Sequence, residues 1–452
     1  MTERSRRAFL AAGASALAVT AGCSRLPVVG DDDSSVSYDS ERLRDVPDLD
    51  AVTIPATHPG PVPNALAETH ANRAAALLAE VPEDPAIPNG VVAARIADDR
   101  EHAAESIADR STDVSTLEAV GGWRYDRTDA AEVRGAYEAA TGDADPEGLR
   151  ERQEVIRGDL RAFRENWAYR GRNVVEAAAV HRNVESLATD AGDALIPDQP
   201  FPANPKDAVF EVGSLVSEVE DARASVDDAA ALRDAYTDDE MAGYRDAIAT
   251  AAVRLERVTD ATRHRVDPYV SAESGVSNFQ RDLDDKPAEW LFWRTKSTAR
   301  TSIESMESAI ERDDYATAVA ESGRALVGLL ALEAVVEAIQ NGEYGMPQST
   351  DAVVDAWERA VDAVAETETM EPHSLTDVLA VRARSALRDG ERELAGNPDY
   401  ESHEDVPDQR DVRNAVAMYA LAVHAADAVP PVAERVTAVL RDAVRGGSAT
   451  DG

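Results

Sequence analysis

Cysteine is all but missing: Cys23 stands alone, so the chain can close no disulfide within itself. Lysine is almost as scarce, limited to Lys206, Lys286 and Lys296, and arginine carries the positive charge. Local signatures of catalysis are missing too. Beyond the N-terminal segment there is no Gly-rich phosphate loop, no HExxH, no CxxC and no G-x-S-x-G elbow. A carboxylate-bridged di-iron bundle needs Glu-x-x-His twice, and Glu stands three residues before none of the 8 histidines. Period-two alternation is scarce as well, with Asp50 to Ile54 as the one candidate strand.

Positive charge as a whole is in deficit. Lys and Arg number 46 against 86 Asp and Glu, a formal charge of −40. Nucleic-acid binding starts from a basic face that neutralises phosphates, so that class of partner is excluded. Attraction to anionic lipid headgroups is disfavoured for the same reason. Such a charge strains a compact fold by self-repulsion in dilute buffer. In molar salt the screening length falls to about 3 Å and the strain is largely relieved.

The N-terminus has the layout of an export signal. Basic residues up to Arg7 run into a stretch, Ala8 to Gly22, that has no charge. At 15 residues it is shorter than the roughly 20 that a membrane-spanning helix needs. Ser5-Arg6-Arg7-Ala8-Phe9-Leu10 resembles the twin-arginine export signature, with Arg6 and Arg7 before the apolar pair Phe9 and Leu10, although Ala11 replaces the usual lysine. Thr20-Ala21-Gly22-Cys23 is similar to a lipobox, with Thr20 where leucine is more common. The resemblance implies a diacylglycerol-type lipid on Cys23, and two acyl chains hold a protein on a membrane stably. An acidic, lysine-poor, Ala- and Val-rich chain resembles proteins of salt-loving archaea. Signal and composition together are similar to haloarchaeal twin-arginine lipoproteins, which implies the outer face of the cell membrane.

The expected organisation is a signal peptide (1–22), a lipidated acidic tether (23–60) and three helical parts (61–200, 201–397 and 398–452), with 61–452 as one domain in the alternative. The fold class is all-α, a large bundle or irregular array of long antiparallel helices. After Pro146, Leu149, Ile156, Phe163, Ala177 and Val184 recur every seventh residue, with Arg170 filling the gap. Leu160, Trp167, Val174 and His181 run four residues behind, and together the rows predict one helix of about forty residues. Helices are also expected after Pro205, from Met241 through Tyr244 to Val258, and over 288–311, 314–341, 350–366, 374–396, 409–428 and 431–445, the last opened by Pro431. Ala325 to Val336, apolar apart from Glu333, reads as a buried core helix rather than a span. Prolines 197, 200, 202 and 205, and the polar stretch 397–407, mark loops or subdomain boundaries.

Three features carry candidate chemistry. Asp143, Asp145, Glu147 and Glu154 have the spacing of an EF-hand loop for Ca2+, with Gly148 at the turn. The same residues read as Gly142 ending one helix and Asp145 capping the next, with Pro146 at its first position, and that reading is preferred in so acidic a chain. Trp290, Trp293, Arg294 and Lys296 form the densest aromatic and basic cluster, a contact surface if exposed and a core helix if not. Arg170 falls on an apolar stripe with His181, either ion-paired in the core or lining a pocket for an anion. The function expected is a non-catalytic binding module for an envelope protein or small solute, held to the membrane by its lipid. An exported hydrolase-like enzyme with a site assembled from distant helices is the alternative.

Overall fold

The computed structural model describes residues 37–46, 58–114, 116–197, 199–238, 240–271, 275–371, 373–395 and 407–447. Arg6, Arg7, Phe9, Leu10, Cys23 and the candidate strand at 50–54 lie outside these residues. Among the described residues the fold is all-α, with one pair of two-residue strands.

The first half is built on six helices that follow the short α1 (Ser40–Asp45): α2 (Ala65–Ala79), α3 (Gly90–Asp109), α4 (Leu117–Thr141), α5 (Pro146–Glu165), α6 (Val174–Ala194) and α7 (Val209–Tyr236). Helices α4 and α7 pack closely because glycines meet at their crossing. A Cβ on Gly135 would lie 2.8 Å from Val216 Cβ and 3.1 Å from Gly213 Cα. Further along the same helices, charged groups that α2, α4 and α7 bury wholly or in part are paired. His70 Nε2 lies 2.9 Å from Asp228, and Arg73 and Arg127 both bond Glu220 at 2.8 Å. Burial works to raise the Glu220 pKa, but the two arginines prevail and hold it down at about 2.

The second half comprises α8 (Arg245–Arg263), the one-turn α9 (Asp267–Val270), α10 (Pro287–Glu311), α11 (Tyr315–Gln340), α12 (Thr350–Glu368), α13 (His373–Ala395) and α14 (Gln409–Gly447). Helix α11 is the hub. Val319, Leu326, Val327, Leu329, Val335 and Ile339 are all buried and spread around most of its circumference, as expected for a helix packed on nearly every side. It packs on α8, α10, α13 and α14, and the last of these also lies against α12 and α13. By length and composition α14 would suffice to cross a membrane, yet 61% of its apolar window is buried within the protein. The halves join through α6, which contacts α7 on one side and α11, α13 and α14 on the other. Helices flanking the prolines near residue 200, and those flanking 397–407, pack against each other.

The structure departs from the sequence pattern in three places, and in a fourth it takes the preferred of two readings. The single helix of about forty residues is two: α5 stops at Glu165 and α6 starts at Val174. Between them Tyr169 takes a left-handed φ of 50° and Arg170–Gly171 pairs antiparallel with β2 (Ala242–Gly243) as β1. Met241 and Tyr244 accordingly lie outside α8, beside that strand pair. The two C-terminal helices expected at 409–428 and 431–445 are one, with Pro430 and Pro431 inside it. The calcium-loop spacing is realised as caps. Gly142, at φ 97°, ends α4, and Asp145 accepts from the Glu147 and Gly148 N–H groups at 3.1 and 2.9 Å. Glu147 and Glu154 then stand exposed on a continuous helix, two turns or roughly 10 Å apart. They do not converge with Asp143 and Asp145, and among the described residues no group of three His, Cys, Asp or Glu gathers to hold a metal ion.

Candidate functional site

The turn between α5 and α6 opens a cleft of about 450 Å³, lined by residues 166–170, His181 and, from the end of α7, Arg233, Asp234, Thr237 and Asp238. Its backbone is fixed from several directions. Asn173 caps α6, accepting from the Val175 and Glu176 N–H groups at 3.1 and 3.0 Å. Gly171 is buried where no Cβ fits, since one would lie 2.8 Å from Ala177 Cβ and 3.0 Å from the Tyr236 hydroxyl. The Tyr244 N–H donates to the carbonyls of Ala168 and Tyr169 at 3.2 Å, tying the turn to the start of the second half.

The floor of the cleft is aromatic. Trp167 stacks on Tyr169 with centroids 4.6 Å apart, and His181 lies 5.7 Å from Trp167 and 5.2 Å from Tyr169. Both nitrogens of His181 are engaged. Nδ1 accepts from Trp167 Nε1 at 3.0 Å, so Nε2 carries the hydrogen and donates to the Arg170 carbonyl at 2.9 Å. Burial, with the Arg233 charge adding to it, lowers the His181 pKa to about 4. The ring is therefore neutral near pH 7 and has no nitrogen left to take or give a proton.

Behind the floor sits Glu185, fully buried on α6. Its Oε1 accepts from the Tyr169 hydroxyl at 2.5 Å and from Ala316 N–H at 2.9 Å, and its Oε2 from Thr317 N–H at 2.5 Å. Ala316 and Thr317 belong to the first turn of α11, which Asp314 at its start leaves without a side-chain cap. Glu185 supplies that cap from another helix, where its charge also suits the positive end of the helix dipole. Burial nevertheless raises its pKa to about 7. Desolvation and the neighbouring carboxylate likewise raise that of the Tyr169 phenol. The rim is polar and carries both signs. Arg170, exposed, donates to the Met241 carbonyl at 3.1 Å, and Arg233 pairs with Asp234 at 2.8 Å while lying 4.7 Å over the Phe163 ring.

Of the residues singled out in the sequence, Arg170 and His181 do meet in this cleft, brought together by a chain reversal rather than by one helix. Trp290, Trp293, Arg294 and Lys296 lie elsewhere, on α10. Trp293 is 39% exposed, but Trp290 is half-buried and Lys296 is buried with its Nζ 4.8 Å from the Trp293 ring centroid. Arg294 reaches Asp389 at 3.7 Å. Sequence reasoning did not single out Glu185 or the Arg233–Asp238 segment. Glu185 had a legible signal: it stands seven residues after Ala178 among Val180, Val184 and Leu187, a carboxylate on an apolar face.

Two domain families divide the chain at the strand pair just described. Residues 65–243 match a domain of unknown function (DUF8262), and residues 245–438 match a second (DUF8264). Tyr244, which ties β2 to the cleft turn, falls between the two matches. No curated protein and no solved structure matches the chain.

Proposed function

We propose that this chain, exported through the twin-arginine pathway and held to the outer face of the membrane by a lipid on Cys23, binds a small zwitterionic solute in the cleft between α5, α6 and α7. The observation that carries the binding reading is the rim of both signs, Arg170 and Arg233 with Asp234 and Asp238, over an aromatic floor. Pockets of this kind orient a ligand with a few polar groups and hold it by apolar contact. Binding is favoured over hydrolysis because the one histidine in the cleft spends both ring nitrogens on the fold. A protein partner at Trp290 to Arg300 has less support, since only part of that cluster reaches solvent.

The signal peptide and lipobox support the anchor, and the −40 charge supports a working medium of molar salt. Helix α1 is docked on the helical body, with Leu43 buried and the Asp39 N–H bonded to Thr350 at 2.9 Å. Any tether is therefore limited to the residues before it, and from Ser24 to Val36 its reach is at most about 40 Å at roughly 3.3 Å per residue. Titration with a panel of free amino acids in molar KCl, followed by tryptophan fluorescence, tests the cleft. A saturable change that Arg233→Gln weakens and Trp167→Phe removes is expected. No response to any of them would overturn the solute reading. Cys23→Ser is expected to release the protein into the medium or leave the precursor uncut, and normal fractionation with membranes would overturn the lipid anchor.

A further inference from the structure

A second concentration of positive charge lies away from the cleft, where Arg294 of α10 and Arg324 of α11 reach across to α13. Arg324 on α11 donates from Nε to the Val378 carbonyl of α13 at 3.2 Å and pairs with Glu321 at 2.6 Å. Arg294 on α10 reaches Asp389 of α13 at 3.7 Å, a carboxylate that Arg392 shares at 3.3 Å. Val378, Arg382 and Asp389 are four and seven residues apart, so they lie along one face of α13. Arg382 is thus flanked on its own helix face by the points where two other arginines dock. It is exposed, and no described group hydrogen-bonds or ion-pairs with it. Three guanidinium groups therefore face two carboxylates, one of them shared with a fourth arginine, in a chain where acids outnumber bases 86 to 46.

Left alone, that arrangement is unfavourable. Although its surface is exposed, partial desolvation against the packed helices, then the charges of Arg324 and Arg294, push the Arg382 pKa below its ordinary value, with Asp389 and Glu321 acting the other way. Arg182, on α6 behind Arg324, is lowered to about 10 by burial and then by the Arg324 charge. Guanidinium groups lined along one helix face suit an oxyanion, which accepts paired N–H bonds in the plane of each fork.

We infer that the face of α13 between Val378 and Asp389 is a binding site for a phosphate-type oxyanion, gripped by Arg382 with Arg294 and Arg324 beside it. The overall negative field opposes such a ligand in dilute buffer. In molar salt the field is screened beyond about 3 Å while contact hydrogen bonds persist, so binding is expected to need salt. This site is separate from the cleft, and its test does not depend on a solute there.

The full chain in molar KCl is titrated with potassium phosphate and, separately, with glycerol 1-phosphate, against KCl added to matched ionic strength, and the thermal midpoint is read. A saturable rise above the chloride control is expected. A rise with both ligands identifies the phosphate group itself as the ligand, and a rise with the monoester alone identifies an organic phosphate. Arg382→Gln, which breaks no internal hydrogen bond, is expected to weaken binding about tenfold, the loss typical of a hydrogen bond to a charged group. Arg445→Gln, the same charge change at the far end of α14, is expected to leave the affinity unchanged. No rise above chloride with either phosphate, or an equal rise in Arg382→Gln, would overturn the inference.

Discussion

Residues 166–173 and residues 427–432 are opposite cases of one problem. Through the first, the apolar stripe from Leu149 to Val184 runs on in sequence, yet the helix stops and the chain reverses. Through the second, two adjacent prolines stand where a helix should end, yet α14 continues. The stripe survives the reversal because α5 and α6 are antiparallel neighbours facing the same core. Arg164 bonds the Ala188 carbonyl, and Arg157 that of Leu195. A heptad pattern therefore reports which residues are buried, not whether the backbone between them is continuous. At the prolines the balance is energetic. A proline inside a helix costs about 3 kcal/mol. Beyond the pair, Val432, Val436 and Leu440 are buried, and each such side chain contributes about 1.5–3 kcal/mol. Pro431 itself points to solvent.

The largest effect expected at the reversal comes from Glu185→Ala. It leaves the Tyr169 hydroxyl and the Ala316 and Thr317 N–H groups without an acceptor. At about 1–3 kcal/mol for each buried donor so orphaned, the loss should be about 3 kcal/mol or more. Chemical denaturation in molar KCl measures it. A loss no larger than that of an ordinary surface substitution would show that Tyr169 holds its left-handed turn without help from α11.

Acid compares the two regions through one histidine each: His181 at the reversal, and His424, bonded to the Tyr344 hydroxyl at 2.6 Å, one and a half turns before the prolines. Burial holds both at about 4, below the ordinary 6.5. A group depressed in this way binds fewer protons folded than unfolded. The stability it gives is complete above pH 6.5 and is lost as pH falls towards 4, on the order of 3 kcal/mol for a ring as buried as His181. His58, at about 4 for the same reason, adds to the loss. Glu185 has the reverse sign. Raised to about 7, it favours the fold most below pH 4.5 and progressively less as pH rises to 7. Stability should fall on acidification below 6.5, because three rings outweigh one carboxylate over the same range, and Glu185→Gln, which removes the opposing contribution, should make that fall steeper. A stability flat between pH 6.5 and 4 would contradict the burial of these rings.

At the prolines the sign is opposite, since removing them should help. Pro430→Ala and Pro431→Ala restore N–H groups that can bond the carbonyls four residues back. Part of the roughly 3 kcal/mol penalty is returned, less the 0.4–1 kcal/mol or so by which proline stiffens the unfolded chain. A gain of about 1–2 kcal/mol for the pair is expected. Destabilisation would mean that the prolines themselves are needed for the packing of α14 on α11 and α13.

Much of the fold was legible because most of its helices end on local signals. Ser349 caps α12, Pro287 opens α10, and Gly142 closes α4 in a left-handed turn, all readable from residue type. The cleft was legible only in part. Arg170 and His181 stood out as polar residues on an apolar stripe, and that is how they came to notice. Glu185, Arg233 and Asp234 did not, because their roles depend on α11 and α7 arriving from more than forty residues away. The reversal itself did leave traces in Asn166, Gly171 and Asn173, which the strength of the apolar repeat outweighed.

Asn173 offers the smallest and most discriminating test of why the chain turns. Its side-chain oxygen caps the Val175 and Glu176 N–H groups, and Glu176 three residues on completes the pattern of a helix start. Asn173→Ala removes the cap and should cost about 1 kcal/mol, whereas Asn173→Gly should cost only a few tenths. Alanine also favours helix more than asparagine, so it nudges the backbone towards running straight from α5 into α6. The buried Gly171, the φ of Tyr169 and the grip of Glu185 all oppose that outcome. If long-range contacts set the turn, Asn173→Ala loses about 1 kcal/mol, keeps its helical circular dichroism and leaves the pH profile of Glu185 intact. A loss exceeding that of Glu185→Ala would show instead that the turn is written locally. The reversal would then be as readable from sequence as the caps of α5 and α12.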